Sequence, residues 1–204
     1  MEKPRHPVER IALDVDETIA DVMNHVLSLH NLEKSARFTM DDITDWKWTS
    51  IGITGAEFRK HYSTVWHTMT EQIGLLINKE LLLELSKYYE IDLVTKRGGI
   101  KELEETAEPL KKWLIRHGID KYRLVLSGHG VEKDVLRYDI YIDDSPILAE
   151  RIESCKGKKM FLVTQPHNRN YAIKSRKVVR VADANDALRR LLKKAKSGLK
   201  HKRV

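Results

Sequence analysis

Ile11-Ala12-Leu13-Asp14-Val15-Asp16-Glu17-Thr18 is the stretch on which the reading of this chain turns. The short apolar run reads as a buried strand. Side chains alternate along a strand, so Asp14 and Asp16, at i and i+2, share a side. The carboxyl edge of a parallel sheet is where open α/β folds collect ligands. Two carboxylates there repel each other unless a cation lies between them or one holds a proton. Alone, the pair also has a plain reading as turn or capping aspartates.

Working outward, short apolar runs recur and helical patterns fill the gaps. Ile91 to Val94, Tyr122 to Leu126, Ile140 to Ile142 and Met160 to Val163 read as strands, and Val178 to Val181 adds a sixth. Strand and helix in alternation imply an α/β fold with a doubly wound, Rossmann-like parallel sheet. Ser145 followed by Pro146 opens a helix, Gly118 closes one, and Asp183 caps Ala184 to Lys196. Pro109 is expected to break or restart the helical stretch that begins near Ile100. From about Ala20 to Leu85 the alternation stops. Ala20 to Leu32, Ala56 to Met69 and Asn78 to Tyr88 look helical, around an acidic, aromatic loop at Asp41 to Trp48. The expected organisation is a core of residues 1–19 and 86–204, with residues 20–85 inserted after the first strand as a small helical cap.

Three further elements carry chemistry. Asp143-Asp144-Ser145-Pro146 follows the Ile140 strand. Adjacent carboxylates after an apolar run are costly unless solvated or metal-bound, and hard oxygen ligands favour Mg²⁺. Alone, they also read as an N-cap and its neighbour. Thr95-Lys96-Arg97-Gly98-Gly99 follows the Ile91 strand. A hydroxyl with free backbone amides can hold a phosphate there, although an ordinary turn looks the same. Lys133 lies ten residues before Asp143; a lone lysine is usually a solvated charge.

In order, these elements read DxDxT, a strand-end Thr, a Lys, and DD. That order resembles the haloacid-dehalogenase-like superfamily from Ile11 to about Val181. It is most similar to the 5′(3′)-deoxyribonucleotidase branch, where the Lys precedes the DD pair by about ten residues. A Gln-Pro-x-Asn-Arg sequence there matches Gln165-Pro166-His167-Asn168-Arg169. Glu17 departs from the superfamily's common Gly. The resemblance implies a Mg²⁺-dependent phosphatase with Asp14 as nucleophile and metal ligand. Asp16 would be general acid then base, its backbone carbonyl on the metal. Asp143 would bind the metal directly and Asp144 would support its shell. Thr95 and Lys133 would hold phosphoryl oxygens.

Weaker candidates for substrate contact are Trp46, Lys96, Asn168 and Arg169. Trp46, Trp48 and Trp66 can stack on a flat substrate or form the insert's own core. Asp42 and Asp45 suit capping, and Lys96 and Arg97 can meet anions or face solvent. The nine histidines show no metal-like spacing and receive no ligand role.

Composition narrows the classes. The 204 residues are 41% hydrophobic and 33% charged, an ordinary globular balance. No apolar stretch suits a membrane span or secretory signal. Cys155 is the sole cysteine, which excludes an intrachain disulfide and a cysteine zinc site and leaves a cytoplasmic location as the default. Of 37 basic and 30 acidic side chains, eight and one lie from Asn185 onward; the preceding 184 residues carry 29 of each. The charge of +7 thus sits on a terminal helix and tail, which reads as a solvated helix end. Three functions stay open. They are a nucleotidase acting on nucleoside monophosphates, a phosphatase for another small phosphoester, and a nucleic-acid-binding protein using the basic tail. A homodimer is a candidate assembly.

Overall fold

The computed structural model describes residues 8–97, 100–128 and 130–200. Expectations for Met1 to Pro7, Gly98, Gly99, Lys202 and Arg203 fall outside that range. Six strands form among the described residues: β1 (Arg10–Leu13), β2 (Glu90–Lys96), β3 (Arg123–Ser127), β4 (Ile140–Asp143), β5 (Lys159–Val163) and β6 (Val178–Val181). All pair in parallel, in the order β3-β2-β1-β4-β5-β6. This is the doubly wound α/β arrangement. The winding reverses between β1 and β4, so the crevice at their carboxyl ends is the topological switch point.

Strand alternation divides the core into two faces. Ile11, Leu13, Ile91, Leu93, Ile140 and Ile142 pack on one side, and Ala12, Val94, Tyr141, Met160 and Leu162 on the other. The helices are α1 (Met23–Lys34), α2 (Gly55–Thr68), α3 (Lys79–Leu85), α4 (Ile100–His117), α5 (Pro146–Ser154) and α6 (Ala184–Lys200). Helices α3, α4 and α6 cover the first face through Leu82, Leu110, Trp113 and Leu188, and α5 covers the second through Leu148, Ala149 and Ile152. Val26 of α1, Val65 and Trp66 of α2 and loop residues Ile43 and Trp48 join the first face's core. No helix is long and apolar enough to cross a membrane among the described residues.

Local signals set most helix ends. Ser145 Oγ accepts from the Leu148 amide at 3.2 Å, with Pro146 at the first helical position. Gly118 has φ 66° and closes α4 by donating to the Ile115 carbonyl. Asp183 accepts from the Asp186 amide at 2.7 Å. In the loop, Asp42 bonds Thr39, and Asp45 accepts from the amides of Lys47, Thr49 and Ser50.

Two expectations need correction. Helix α4 runs straight through Pro109. An interior proline costs about 3 kcal/mol, but the next turn is anchored by Leu110, Trp113 and Leu114, all buried. The Trp113 indole also donates to the Ile73 carbonyl at 3.0 Å. Helix α1 starts at Met23, not Ala20, because Ala20 bridges to Asp16 and Leu75. Glu17 then reaches forward, and its Oε1 accepts from the amides of Val22 and Met23 at 2.9 and 2.7 Å. Burial pushes the Glu17 carboxyl up to about 8 despite those two donors.

Candidate active site

Asp14 stands one residue beyond β1, its amide donating to the Ile142 carbonyl of β4 at 2.9 Å. Asp143 ends β4 and Asp144 follows. The two strands flanking the switch point thereby bring three buried carboxylates together, with one oxygen of each within 4.8 Å of the others. Lys133 enters from a short turn after β3. Its Nζ lies 2.6 Å from Asp14 Oδ1 and 2.6 Å from Asp143 Oδ2. The turn is tied down, as the Tyr141 hydroxyl shares its one proton between the carbonyls of Lys133 and Leu136 and Lys158 donates to that of Asp134.

The electrostatics follow from burial. Desolvation, then the neighbouring Asp143, holds the Asp14 carboxyl well above its ordinary value, although Lys133 pulls the other way. Asp143 is raised by burial too. Burial opposes the charge on Lys133, but Asp14 and Asp143 outweigh it and hold the ammonium above its usual range. Three carboxylates and one ammonium leave a net deficit equal to the charge of one divalent cation. This all-oxygen donor set therefore fits such a metal.

Asp16 lines the same cavity but faces another way. Its Oδ2 accepts from the Tyr62 hydroxyl and Thr95 Oγ1, each at 3.0 Å, and from Arg97 Nη1; its Oδ1 accepts from the Trp66 indole at 3.2 Å. Asp16 is not part of the carboxylate triad. Thr95, fully buried at the end of β2, also accepts from Arg97 Nη1 at 2.7 Å. Arg97 lies within 5.5 Å of the ring centroids of both Tyr62 and Trp66.

The cavity encloses about 950 Å³, and Trp46, Trp48, Phe58, Tyr62 and Ile53 form much of its wall. Trp46 is partly exposed, and Trp48 is buried against Phe58. The remaining substrate candidates are each held by a partner. Lys96 lines the cavity too, paired with Glu132 of the same wall at 2.7 Å. Asn168 is buried, donating to the carbonyls of Asp144 and Val163 at 2.7 Å and accepting from Arg180 at 3.0 Å. Arg169 pairs with Asp41 at 3.2 Å. The Gln165 to Arg169 segment thus braces the site: Asn168 holds Asp144, and Gln165 Nε2 donates to the Glu17 carbonyl at 2.7 Å.

Sequence reasoning passes over two side chains here, His167 and Tyr62, and gives a third, Arg97, too little weight. His167 lies in the cavity wall with Nε2 3.0 Å from Asp144 Oδ2 and its ring edge-on to Trp46; it occupies the unspecified position of Gln-Pro-x-Asn-Arg. Arg97 was weighed no higher than Lys96, yet strand alternation puts Thr95 and Arg97 on one side and Lys96 on the other. Tyr62 had no signal except its spacing of four from Trp66.

Comparisons with known proteins bear on the fold and the family. A solved structure from Burkholderia xenovorans LB400, described as a haloacid dehalogenase-like hydrolase, has a TM-score of 0.53 at 11% identity. The likeness covers 90% of this chain and 96% of that one, and at such identity speaks for the fold alone. No curated protein matches. Residues 6–196 match the family described as 5′ nucleotidase, deoxy (pyrimidine), cytosolic type C protein. With that match spanning nearly the whole sequence, the chain belongs to this nucleotidase family, phosphoric monoester hydrolases on a haloacid dehalogenase-like fold.

Proposed function

We propose that this chain is a Mg²⁺-dependent nucleotidase that hydrolyses deoxyribonucleoside monophosphates through an aspartyl-phosphate on Asp14. The observation that carries the proposal is Lys133 Nζ at 2.6 Å from both Asp14 and Asp143 within a buried carboxylate triad. Nucleophile, cation and ligand set share one crevice, and the family description supplies the substrate class.

Asp14, Asp143 and Asp144 would hold the Mg²⁺, which when bound offsets their charge and that of the phosphoryl oxygens. Lys133 neutralises the nucleophile's surroundings, so a dianionic ester can approach. An Asp14 oxygen forms a bond to phosphorus as the ester P–O bond breaks. The leaving alkoxide takes a proton from Asp16. Asp16 then accepts a proton from water, whose oxygen attacks phosphorus and breaks the bond to Asp14, releasing inorganic phosphate. Thr95 Oγ1 and the Lys133 ammonium serve as phosphoryl contacts. The aromatic wall at Trp46 and Trp48 would receive the base. Residues 20–85 would act as the cap over this crevice, and the cytoplasm is the proposed location, in keeping with the family's cytosolic description.

A polyanion-binding role for α6 is less well supported, because Arg190, Lys194 and Lys196 are paired with Asp186, Glu9 and Glu84. A second copy of the chain is not required to complete the triad.

The test is turnover of a panel of 5′- and 3′-nucleotides and sugar phosphates, with Mg²⁺ and with chelator. Nucleotides should be favoured, chelation should stop the reaction, and Mg²⁺ should restore it. Trp46→Ala should raise KM for nucleotides by about five- to a hundredfold, from a stacking contribution of about 1–3 kcal/mol. Equal or better turnover of sugar phosphates would replace the nucleotide assignment.

A further inference from the structure

The carboxylate assigned here as acid and base is held largely by a different part of the chain from the one that supplies it. Asp16 follows β1, yet two of the four groups donating to it come from α2 in the insert. Tyr62 and Trp66 are four residues apart and so project from one helix face. The Tyr62 hydroxyl serves Oδ2 and the Trp66 indole serves Oδ1, so each carboxylate oxygen has a donor from α2. The other two donors are Thr95, near the carboxyl end of β2, and Arg97, just past it.

Helix α2 contributes more than these two bonds. The rings of Tyr62 and Trp66 lie 5.5 and 5.4 Å from the Arg97 guanidinium carbon. Arg97 Nε and Nη2 are buried without a hydrogen-bond partner among the described residues. The aromatic faces are therefore what surrounds that part of the cation, an arrangement favourable to a desolvated guanidinium. The same two side chains thus fix the carboxylate directly and fix its cationic partner. Burial keeps the Tyr62 phenol well above its ordinary value, so it remains a donor across neutral pH.

The geometry points to Tyr62 and Trp66 as positioning residues for Asp16: α2, beyond walling the cavity, sets the orientation of the group that protonates the leaving oxygen. This inference rests on the proposed phosphatase chemistry and deepens it. Proton transfer between Asp16 and the leaving group then depends on α2 being seated over the strand ends, whereas attack by Asp14 depends on groups beside β1, β3 and β4.

That division gives the experiment. An alkyl phosphate such as thymidine 5′-monophosphate expels an alkoxide and needs the proton. The aryl ester p-nitrophenyl phosphate expels a stabilised phenolate and needs it far less. Tyr62→Phe removes one oxygen and retains the ring; Trp66→Phe removes the indole donor. Thermal melting of each variant establishes that it folds, and Tyr62→Phe carries the test if Trp66→Phe does not. The ratio of kcat/KM for the nucleotide to that for the aryl ester, which reports transfer to Asp14 and not the shared hydrolysis of the aspartyl-phosphate, should fall at least about tenfold in the variant, a fraction of what general acid catalysis supplies. An unchanged ratio, whether both activities drop together or neither does, would overturn the positioning role, as would a rise. Wild-type protein inactive on both esters with Mg²⁺ would instead defeat the proposed function itself, so the two failures are distinct.

Discussion

Exchanging Asp14 for asparagine should stop turnover and, in the absence of metal, strengthen the fold. The magnitude follows from the geometry of the triad. At an effective dielectric of about 20, like charges about 5 Å apart repel by about 3 kcal/mol. Asp14 faces two such repulsions, from Asp143 and Asp144. Against them stands the attraction to Lys133 at 2.6 Å, about 6 kcal/mol on the same scale. These terms nearly cancel, leaving the cost of desolvating a carboxylate that is only 6% exposed. Asparagine sheds that cost, and its side-chain oxygen can still accept from Lys133. The expected gain is about 1–2 kcal/mol, or about 2–8 °C in Tm for a chain of this size, read by calorimetry in EDTA. The pH dependence has a definite sign. Asp14 is raised in the folded state, so between its unfolded and folded values the folded protein binds more protons, and wild-type stability falls as pH rises. The advantage of Asp14→Asn should vanish below about pH 4 and grow as pH climbs through the folded value. Saturating Mg²⁺ should raise the Tm of wild type more than that of the variant. A variant melting below wild type in EDTA at neutral pH would refute the reasoning, because the metal-free triad would then not be over-charged.

Two further predictions concern the scaffold. Asp92 is buried and accepts from Arg10, Arg123 and Tyr138, and these partners hold its carboxyl below the usual range despite burial. Asp92→Asn should cost about 2 kcal/mol, less than a fully buried pair because Arg123 is largely exposed, and leave kcat near wild type. That contribution should be fully present above about pH 4 and lost as pH falls through the lower folded value; chemical denaturation at several pH values reads it. Glu17 sits at φ 56°, where an L side chain is strained, while its carboxyl Oε1 caps α1. Glu17→Ala should lose the cap and keep the strain. Glu17→Gly loses the cap but relaxes the backbone, so it should be the more stable of the two by about 1 kcal/mol in urea titration; the reverse ranking would show that φ is not the constraint.

Much of the fold was legible because each of the six strands is a short apolar run bounded by polar or helical sequence. Periodicity and local turn chemistry reported these directly, as at Ser145-Pro146 and Gly118. The misreadings came where distant contacts overrode local preference: Trp113 and Leu110 hold α4 together across Pro109, and Ala20 is drawn into bridges with Asp16 and Leu75. At the site, Asp14, Asp16, Asp143 and Asp144 could be suspected because paired acids after apolar runs are costly and local. Lys133 needed the resemblance to be singled out. Tyr62 and His167 could not be found from one sequence, since their meaning lies in partners 46 and 23 positions away. Glu17 is instructive in a different way: the residue at the Gly position of the superfamily does adopt a left-handed backbone, and its side chain is put to use as a cap.

The central place of β1 has a consequence for how the protein comes into being. The first strand made lies between β2 and β4, and Ile11 pairs with Ile140, so during synthesis it waits for more than half the polypeptide before its second neighbour exists. Contacts this remote in sequence make for slow assembly, with an apolar edge bare in the interim. The closing of that seam also brings Asp14 beside Asp143. Joining of β1 to β4 and birth of the catalytic centre are one event, and a chain that has not yet supplied β4 therefore has no half-active form to release.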